Sequence, residues 1–324
     1  QKNYQEVIKL CNEFLKNNVG SARIFNIIGI AQIQLSYNDK AIENFEKAIN
    51  LDNDNIDIIN NLASLYLNIK NFSKAIEFYK SALSKDIENI TTLFYLANTL
   101  YEARLYEEAE KNYKKIIKIS PDQIASYIKL VFLYNDCNEY NKAIDICEAY
   151  LKFDPKNTDF LNYLGFFYQK TGKANLAVNL YSTMIENGEA HFGVYSNLGL
   201  CYLDLGYTDL AAVQFKNSLK LNQNLPKGWL NLGMIDLKKG KIDQSIACFN
   251  KALSLDPNDY EVINNLGNAF ARKRDYKKSL SYYHDALTLK PNNVLVMSNY
   301  LSQLNYTEHL ELNDIFKEHL KYGK

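Results

Sequence analysis

Proline and glycine are scarce in this chain, 5 and 13 of 324 residues. A sandwich or barrel of short strands consumes far more turn residues, so an all-β fold is excluded. Charge of one sign is not in excess, since 37 Lys and Arg balance 37 Asp and Glu. A nucleic-acid or anionic-membrane surface calls for a basic surplus, so neither partner is expected. No apolar run reaches the length of a membrane span, so none is expected. The five Cys include no C-x-x-C pair and, being odd in number, cannot form a closed disulfide set. That pattern points to a reducing, cytoplasmic setting without a zinc site. The chain starts at Gln1 with no charged-then-apolar leader after it. What is plentiful is apolar material, 47% of residues, which is ample for a core.

Chemistry-bearing constellations are also missing. His191, His284, His309 and His319 have no second His or Cys at metal-ligand spacing. There is no Gly-rich phosphate loop and no G-x-S-x-G elbow. No catalytic residue, metal or cofactor is therefore assigned to this chain. Cys11, Cys147, Cys201 and Cys248 fall at helical spacing and are expected to act as small core residues.

A period of 34 residues runs through the sequence. Ala41, Ala75, Ala109, Ala143, Ala177 and Ala211 are each 34 apart, as are Gly165, Gly199, Gly233 and Gly267. Pro121 and Pro155 repeat the interval, and so do Pro257 and Pro291. With Ala22 as position 1, eight units fill residues 22–293 without an insertion. Position 7 reads Ile28, Leu62, Leu96, Leu130, Leu164, Leu198, Leu232 and Leu266. Positions 4, 7, 8 and 11, then 20, 24 and 27, step by three and four, which predicts two amphipathic helices per unit. Between them, Asn138, Gly172, Gly206 and Gly240 occupy position 15 and suit a left-handed helix stop. Residues 1–21 fit the second helix of a truncated unit, with Val7, Cys11 and Phe14 in core phase. Residues 294–324 contain a further first helix, Val294–Leu304, and a capping segment.

This spacing resembles the tetratricopeptide repeat, most plainly in Trp229, Leu232, Gly233, Phe249, Ala252 and Pro257. The resemblance implies an all-α fold, a right-handed superhelix of helix–turn–helix units whose first helices line a concave groove. Small residues at positions 8 and 20 would let the two helices approach closely. Ser245 and Ser279 replace the position-20 alanine, and these spots are expected to be slightly loose.

Positions 2, 6, 9 and 13 lie opposite the core-facing stripe and so face the groove. Position 6 carries Asn61, Asn197, Asn231, Asn265 and Asn299, five of nine sites, although Asn makes up 40 of 324 residues. Asn is a mediocre helix former, while a carboxamide offers both a donor and an acceptor. The row is therefore expected to act as a ladder that grips the backbone of an extended peptide. Units three to five place Phe94, Tyr95, Tyr101, Phe132, Tyr163 and Phe166 on the same side, an aromatic patch for a partner's apolar groups. The polar second-helix faces leave room for a homodimer contact.

The tail has Ser298, Asn299, Leu301, Leu304, Tyr306 and Leu310, then Ile315, Phe316 and His319. Asn313 is expected to cap a short helix whose stripe Leu312, Ile315, Phe316 and Leu320 seals the array. The same string is similar to the junction that precedes the catalytic domain in O-GlcNAc transferase-like glycosyltransferases. That resemblance implies a whole protein that moves a sugar from a nucleotide-sugar donor to Ser or Thr, with this array selecting the acceptor polypeptide. The alternative expectation is a general assembly scaffold that docks a partner on the aromatic patch, with no glycosyl transfer.

Overall fold

The computed structural model of the chain describes residues 2–17, 21–306, 316, 317 and 320. Among them are eighteen α-helices and no strand. The chain divides into two bodies, residues 1–156 and 157–324. The first holds α1 (Lys2–Asn17), α2 (Ala22–Gln34), α3 (Asn38–Leu51), α4 (Ile56–Asn68), α5 (Phe72–Lys85), α6 (Ile90–Glu102), α7 (Tyr106–Ile119), α8 (Ile124–Asp136) and α9 (Tyr140–Leu151). The second holds α10 (Thr158–Lys170), α11 (Ala174–Glu186), α12 (Phe192–Asp204), α13 (Thr208–Leu221), α14 (Pro226–Lys238), α15 (Ile242–Leu255), α16 (Tyr260–Arg272), α17 (Tyr276–Leu289) and α18 (Val294–Leu304). Within each body consecutive helices pack in pairs, as an α-solenoid requires.

Each helix starts and stops for a local reason. The residue before most first helices is a capping one: Asn55, Asn89, Asn157, Asp259 and Asn293 accept from backbone N–H groups two or three residues on. Each first helix of the eight full units ends on a left-handed residue at position 15. The expected Asn138, Gly172, Gly206 and Gly240 are joined there by Ser36, Lys70, Arg104 and Arg274, at φ between 60° and 64°. The turn is closed by bonds such as Asn71 N–H to Tyr66 carbonyl (2.8 Å) and Asp275 N–H to Phe270 carbonyl (2.9 Å). These closures hold even where the side chain disfavours the conformation.

The core is built from one recurring contact. In five of the eight full units a glycine at position 8 of the first helix (Gly29, Gly165, Gly199, Gly233 and Gly267) lies under the position-24 aromatic of the second. A Cβ on Gly165 would lie 2.4 Å from Tyr181 Cζ, and one on Gly199 would lie 2.9 Å from Phe215 Cε1. Tyr181 and Phe215 are fully buried, and each such ring contributes about 2 kcal/mol of apolar transfer. The fourth unit keeps the volume and reverses the sizes: position 8 is Val131 and position 24 is Cys147, both buried. Cys201 and Cys248 are buried too, while Cys11 is only half-buried.

Ser245 and Ser279 depart from expectation. Neither site is loose: both side chains are fully buried. The Ser245 hydroxyl donates to the Ile242 carbonyl at 2.7 Å, and that of Ser279 donates to the Gly267 carbonyl at 2.9 Å. A hydroxyl that bonds a nearby carbonyl fills an alanine site without an unsatisfied polar atom. In the tail, Asn313, Leu312 and Ile315 lie outside the described residues. Phe316 and Leu320 are helical and exposed.

Candidate functional site

On the first helices, positions 7 and 8 go into the core and positions 6 and 9 turn away from it. Ile27, Ile30, Tyr95, Phe132 and Met234 stand at those outward positions with 38 to 43% of their surface exposed. This is the face on which the sequence places its candidate residues.

The five position-6 asparagines do not form one uniform row. Each is half-buried. In the first body, Asn61 Nδ2 donates to Asn26 Oδ1 at 2.9 Å. In the second, Asn197 donates to Asn162 Oδ1 and Asn299 to Asn264 Oδ1, both at 3.0 Å. Each bond joins position 6 of one unit to position 5 of the unit before it. The rule is visible in its exceptions. The unit before Asn231 offers Ser196, whose hydroxyl is engaged with Ser218 at 2.7 Å. The unit before Asn265 offers Leu230, which has no polar atom. Asn265 Nδ2 turns back to the Glu261 carbonyl at 2.9 Å. Three of the five amides thus spend a donor holding neighbouring units in register, which leaves at most one N–H of each for a ligand. The ladder expected from the sequence is in part a set of clasps within the array.

A second line of bonds ties position 12 or its carbonyl to position 13 of the next unit. Tyr101 donates to Asp136 in the first body. In the second, Gln169 donates to Asp204 at 2.8 Å and Arg272 Nη1 to the Leu237 carbonyl at 2.7 Å.

The aromatic residues divide between the bodies. Phe94, Tyr95, Tyr101 and Phe132 belong to the first, Tyr163 and Phe166 to the second. Tyr95 and Phe132 are exposed and the others half-buried. They pack on rings of the array: Phe94 edge-on to Tyr113, Tyr95 beside Tyr79, Tyr101 beside Tyr106, and Tyr163 edge-on to Phe160. Lys170 Nζ sits over the Phe166 ring at 5.3 Å.

On this face the second body has a depression of about 430 Å³. Its apolar lining is Met234, Leu237 and Ala271, and its polar lining is Lys238, Asn265, Asn268 and Arg272. A directed chain of hydrogen bonds leads into it. Tyr283 Oη donates to Asn268 Oδ1 at 2.8 Å, and Asn268 Nδ2 to Asn265 Oδ1 at 3.5 Å. Burial pushes the Tyr283 phenol above its ordinary pKa, so it stays a donor at neutral pH. Asn268, Lys238 and Arg272 were not singled out in the sequence. The signal available for the clasps was an Asn pair 35 residues apart, one more than the period.

Similarity to known proteins runs along the repeat. Models described as tetratricopeptide repeat match residues 38–86 and 100–165, 192–225, and 260–293, and one described as TPR repeat matches 233–274. Together they take in well over half of the chain. A crystal structure of the APC/C hetero-tetramer Cut9-Hcn1 superposes with a TM-score of 0.58 at 16% identity, over 87% of this chain and 55% of that one. TTC0263, a thermophilic TPR protein in Thermus thermophilus, aligns at 22% identity over 56% of this chain and 98% of its own, with a TM-score of 0.47. The chain thus spans little more than half the length of the Cut9-Hcn1 chain, and the likeness is one of fold. No curated protein sequence matches it. Among the described residues no helix is long and apolar enough to cross a membrane.

Proposed function

We propose, from the premise that this chain belongs to the tetratricopeptide repeat family, that it is a protein-interaction scaffold whose first helices hold an extended stretch of partner polypeptide. The observation that carries this reading is the exposure of Ile30, Tyr95, Phe132 and Met234 at outward positions of first helices. Apolar side chains kept in water at periodic sites suit a partner's side chains. The carboxamide of Asn231, whose preceding unit offers the engaged Ser196 in place of an accepting Asn, suits its backbone.

The test replaces Ile30, Tyr95, Phe132 and Met234 together by Ser and follows capture of fluorescent, unstructured peptides by anisotropy. Because the four side chains are exposed, circular dichroism should be unchanged. Affinity should fall about tenfold or more, as expected when apolar anchors are lost. Undiminished affinity in the fourfold variant would remove this surface from the reading.

A finer reading makes the polypeptide the acceptor of an O-GlcNAc transferase-like enzyme that uses a nucleotide-sugar. Its support is the tail string alone, Ser298 to His319, part of which lies outside the described residues. A general assembly scaffold is supported equally by the same surface. Transfer of a labelled sugar from a nucleotide-sugar to Ser or Thr, by the chain with whatever is contiguous with it, separates the two.

A further inference from the structure

The geometry points to a subsite for an acidic, apolar peptide segment on the first helices α14 and α16, in the depression lined by Met234, Lys238, Asn265, Asn268 and Arg272. This deepens the proposed function and rests on it. Three observations converge.

The first is hydrogen-bond polarity. In the chain from Tyr283 through Asn268 to Asn265, the amide oxygens accept from within the array. Asn265 Nδ2 then closes on the Glu261 carbonyl. What each amide still presents is chiefly an N–H, so the wall is biased toward a ligand rich in acceptors.

The second is charge. Lys238 and Arg272 both line the depression, and no carboxylate does. Three neighbouring cations are already paired: Lys239 with Asp209, Lys273 with Asp243 at 2.6 Å, and Lys227 with Asp259 and Glu261. Among the described residues neither Lys238 nor Arg272 is in such a pair, and the bond Arg272 makes there is to a backbone carbonyl, that of Leu237. Arg272 therefore keeps part of its guanidinium fork available to a carboxylate. Position 13 carries Glu102, Asp136 and Asp204 in three other units and a single Lys170 in a fourth, so two cations in consecutive units distinguish this stretch from others along the array.

The third is the floor. Met234 is 43% exposed and adjoins Leu237 and Ala271. It is a flexible thioether surface suited to an aliphatic side chain. The lining has no aromatic ring on which a base could stack, and the chain has no net charge. Both facts weigh against a single-stranded nucleic acid. The ligand that fits acceptor demand, positive charge and an apolar floor together is an extended peptide in which Asp or Glu adjoins an aliphatic residue.

The experiment uses the whole chain and four probes: a capped peptide of alternating Glu and Leu, its Gln/Leu isostere, its Lys/Leu counterpart, and an oligothymidylate. The Glu/Leu peptide should bind most tightly and weaken as salt rises. The isostere should bind about tenfold more weakly, the scale of a lost charge-assisted bond. Arg272→Gln and Lys238→Gln should each cost the Glu/Leu peptide about the same factor and leave the isostere's affinity within about twofold, with helical content unchanged. Equal binding of the Glu/Leu and Gln/Leu peptides, or preference for the Lys/Leu peptide, would overturn the subsite while leaving the scaffold reading intact. Tighter binding of the oligothymidylate would overturn it in favour of nucleic acid. If no peptide binds, the subsite and the scaffold reading fall together.

Discussion

Exchanging the sizes of one recurring core pair should reveal how the two helices of a unit are held together. Consider Gly165 and Tyr181 of the fifth unit. A Cβ at Gly165 would lie 2.4 Å from Tyr181 Cζ, 2.7 Å from Oη and 2.8 Å from Cε1, all inside the 3.0 Å that real Cβ contacts respect. Tyr181 is fully buried and its hydroxyl donates to the Asn162 carbonyl at 3.1 Å, so the ring has nowhere to swing. Gly165→Val should therefore cost about 2–3 kcal/mol by overpacking. Tyr181→Cys alone should cost about 3–5 kcal/mol, because it empties the volume of a buried ring. The double variant recreates the pair that the fourth unit already uses, Val131 over Cys147. It should lose less than the sum by about 2 kcal/mol, the scale of coupling for residues in contact. Urea unfolding of all four proteins, followed by far-ultraviolet circular dichroism, gives the cycle. Single losses that add to within about 0.5 kcal/mol would refute the reasoning, as would a neutral Gly165→Val.

Two further outcomes follow from the same structure. Lys70→Gly and Arg274→Gly should each stabilise the chain by about 0.5 kcal/mol, since the left-handed conformation costs an L-residue more than glycine loses in unfolded-state entropy. Calorimetry on these variants and on Arg274→Val, which should destabilise, checks the sign. Burial raises the Tyr79 phenol to about 12 from 10.0, against the opposing effect of its hydrogen bond with Ser64. A raised folded pKa means that this contribution is whole below pH 10 and is lost as pH climbs toward 12. Tyr79→Phe should make stability fall less steeply with pH in that window, other phenols raised by burial, such as that of Tyr101, supplying the rest, and an unchanged slope would show that the Tyr79 phenol does not contribute.

The periodicity carried most of the architecture. Alanine, glycine and proline at intervals of 34 residues located both helices of each unit and the turn between them. Position 15 was read from Asn138 and three glycines, and Ser36, Lys70, Arg104 and Arg274 followed them because the closing bonds outweigh the side-chain penalty. The asparagines were harder to read. Asn55, Asn89, Asn157 and Asn293 cap helices, so part of the abundance of Asn had a local use. Asn61, Asn197 and Asn299 clasp the preceding unit. Their meaning depends on the residue 35 positions earlier, where Asn26, Asn162 and Asn264 can accept and Leu230 cannot.

By itself, then, the amino-acid order determined the helical repeat, its phase and the core-facing stripe, because an apolar period is a property of one helix. Which outward amides are engaged within the array, and that Lys238 and Arg272 meet in one depression with Met234, was decided only when neighbouring units packed. A polar side chain's partner comes from the next helix pair, and a period in one strip of sequence does not record what lies across from it.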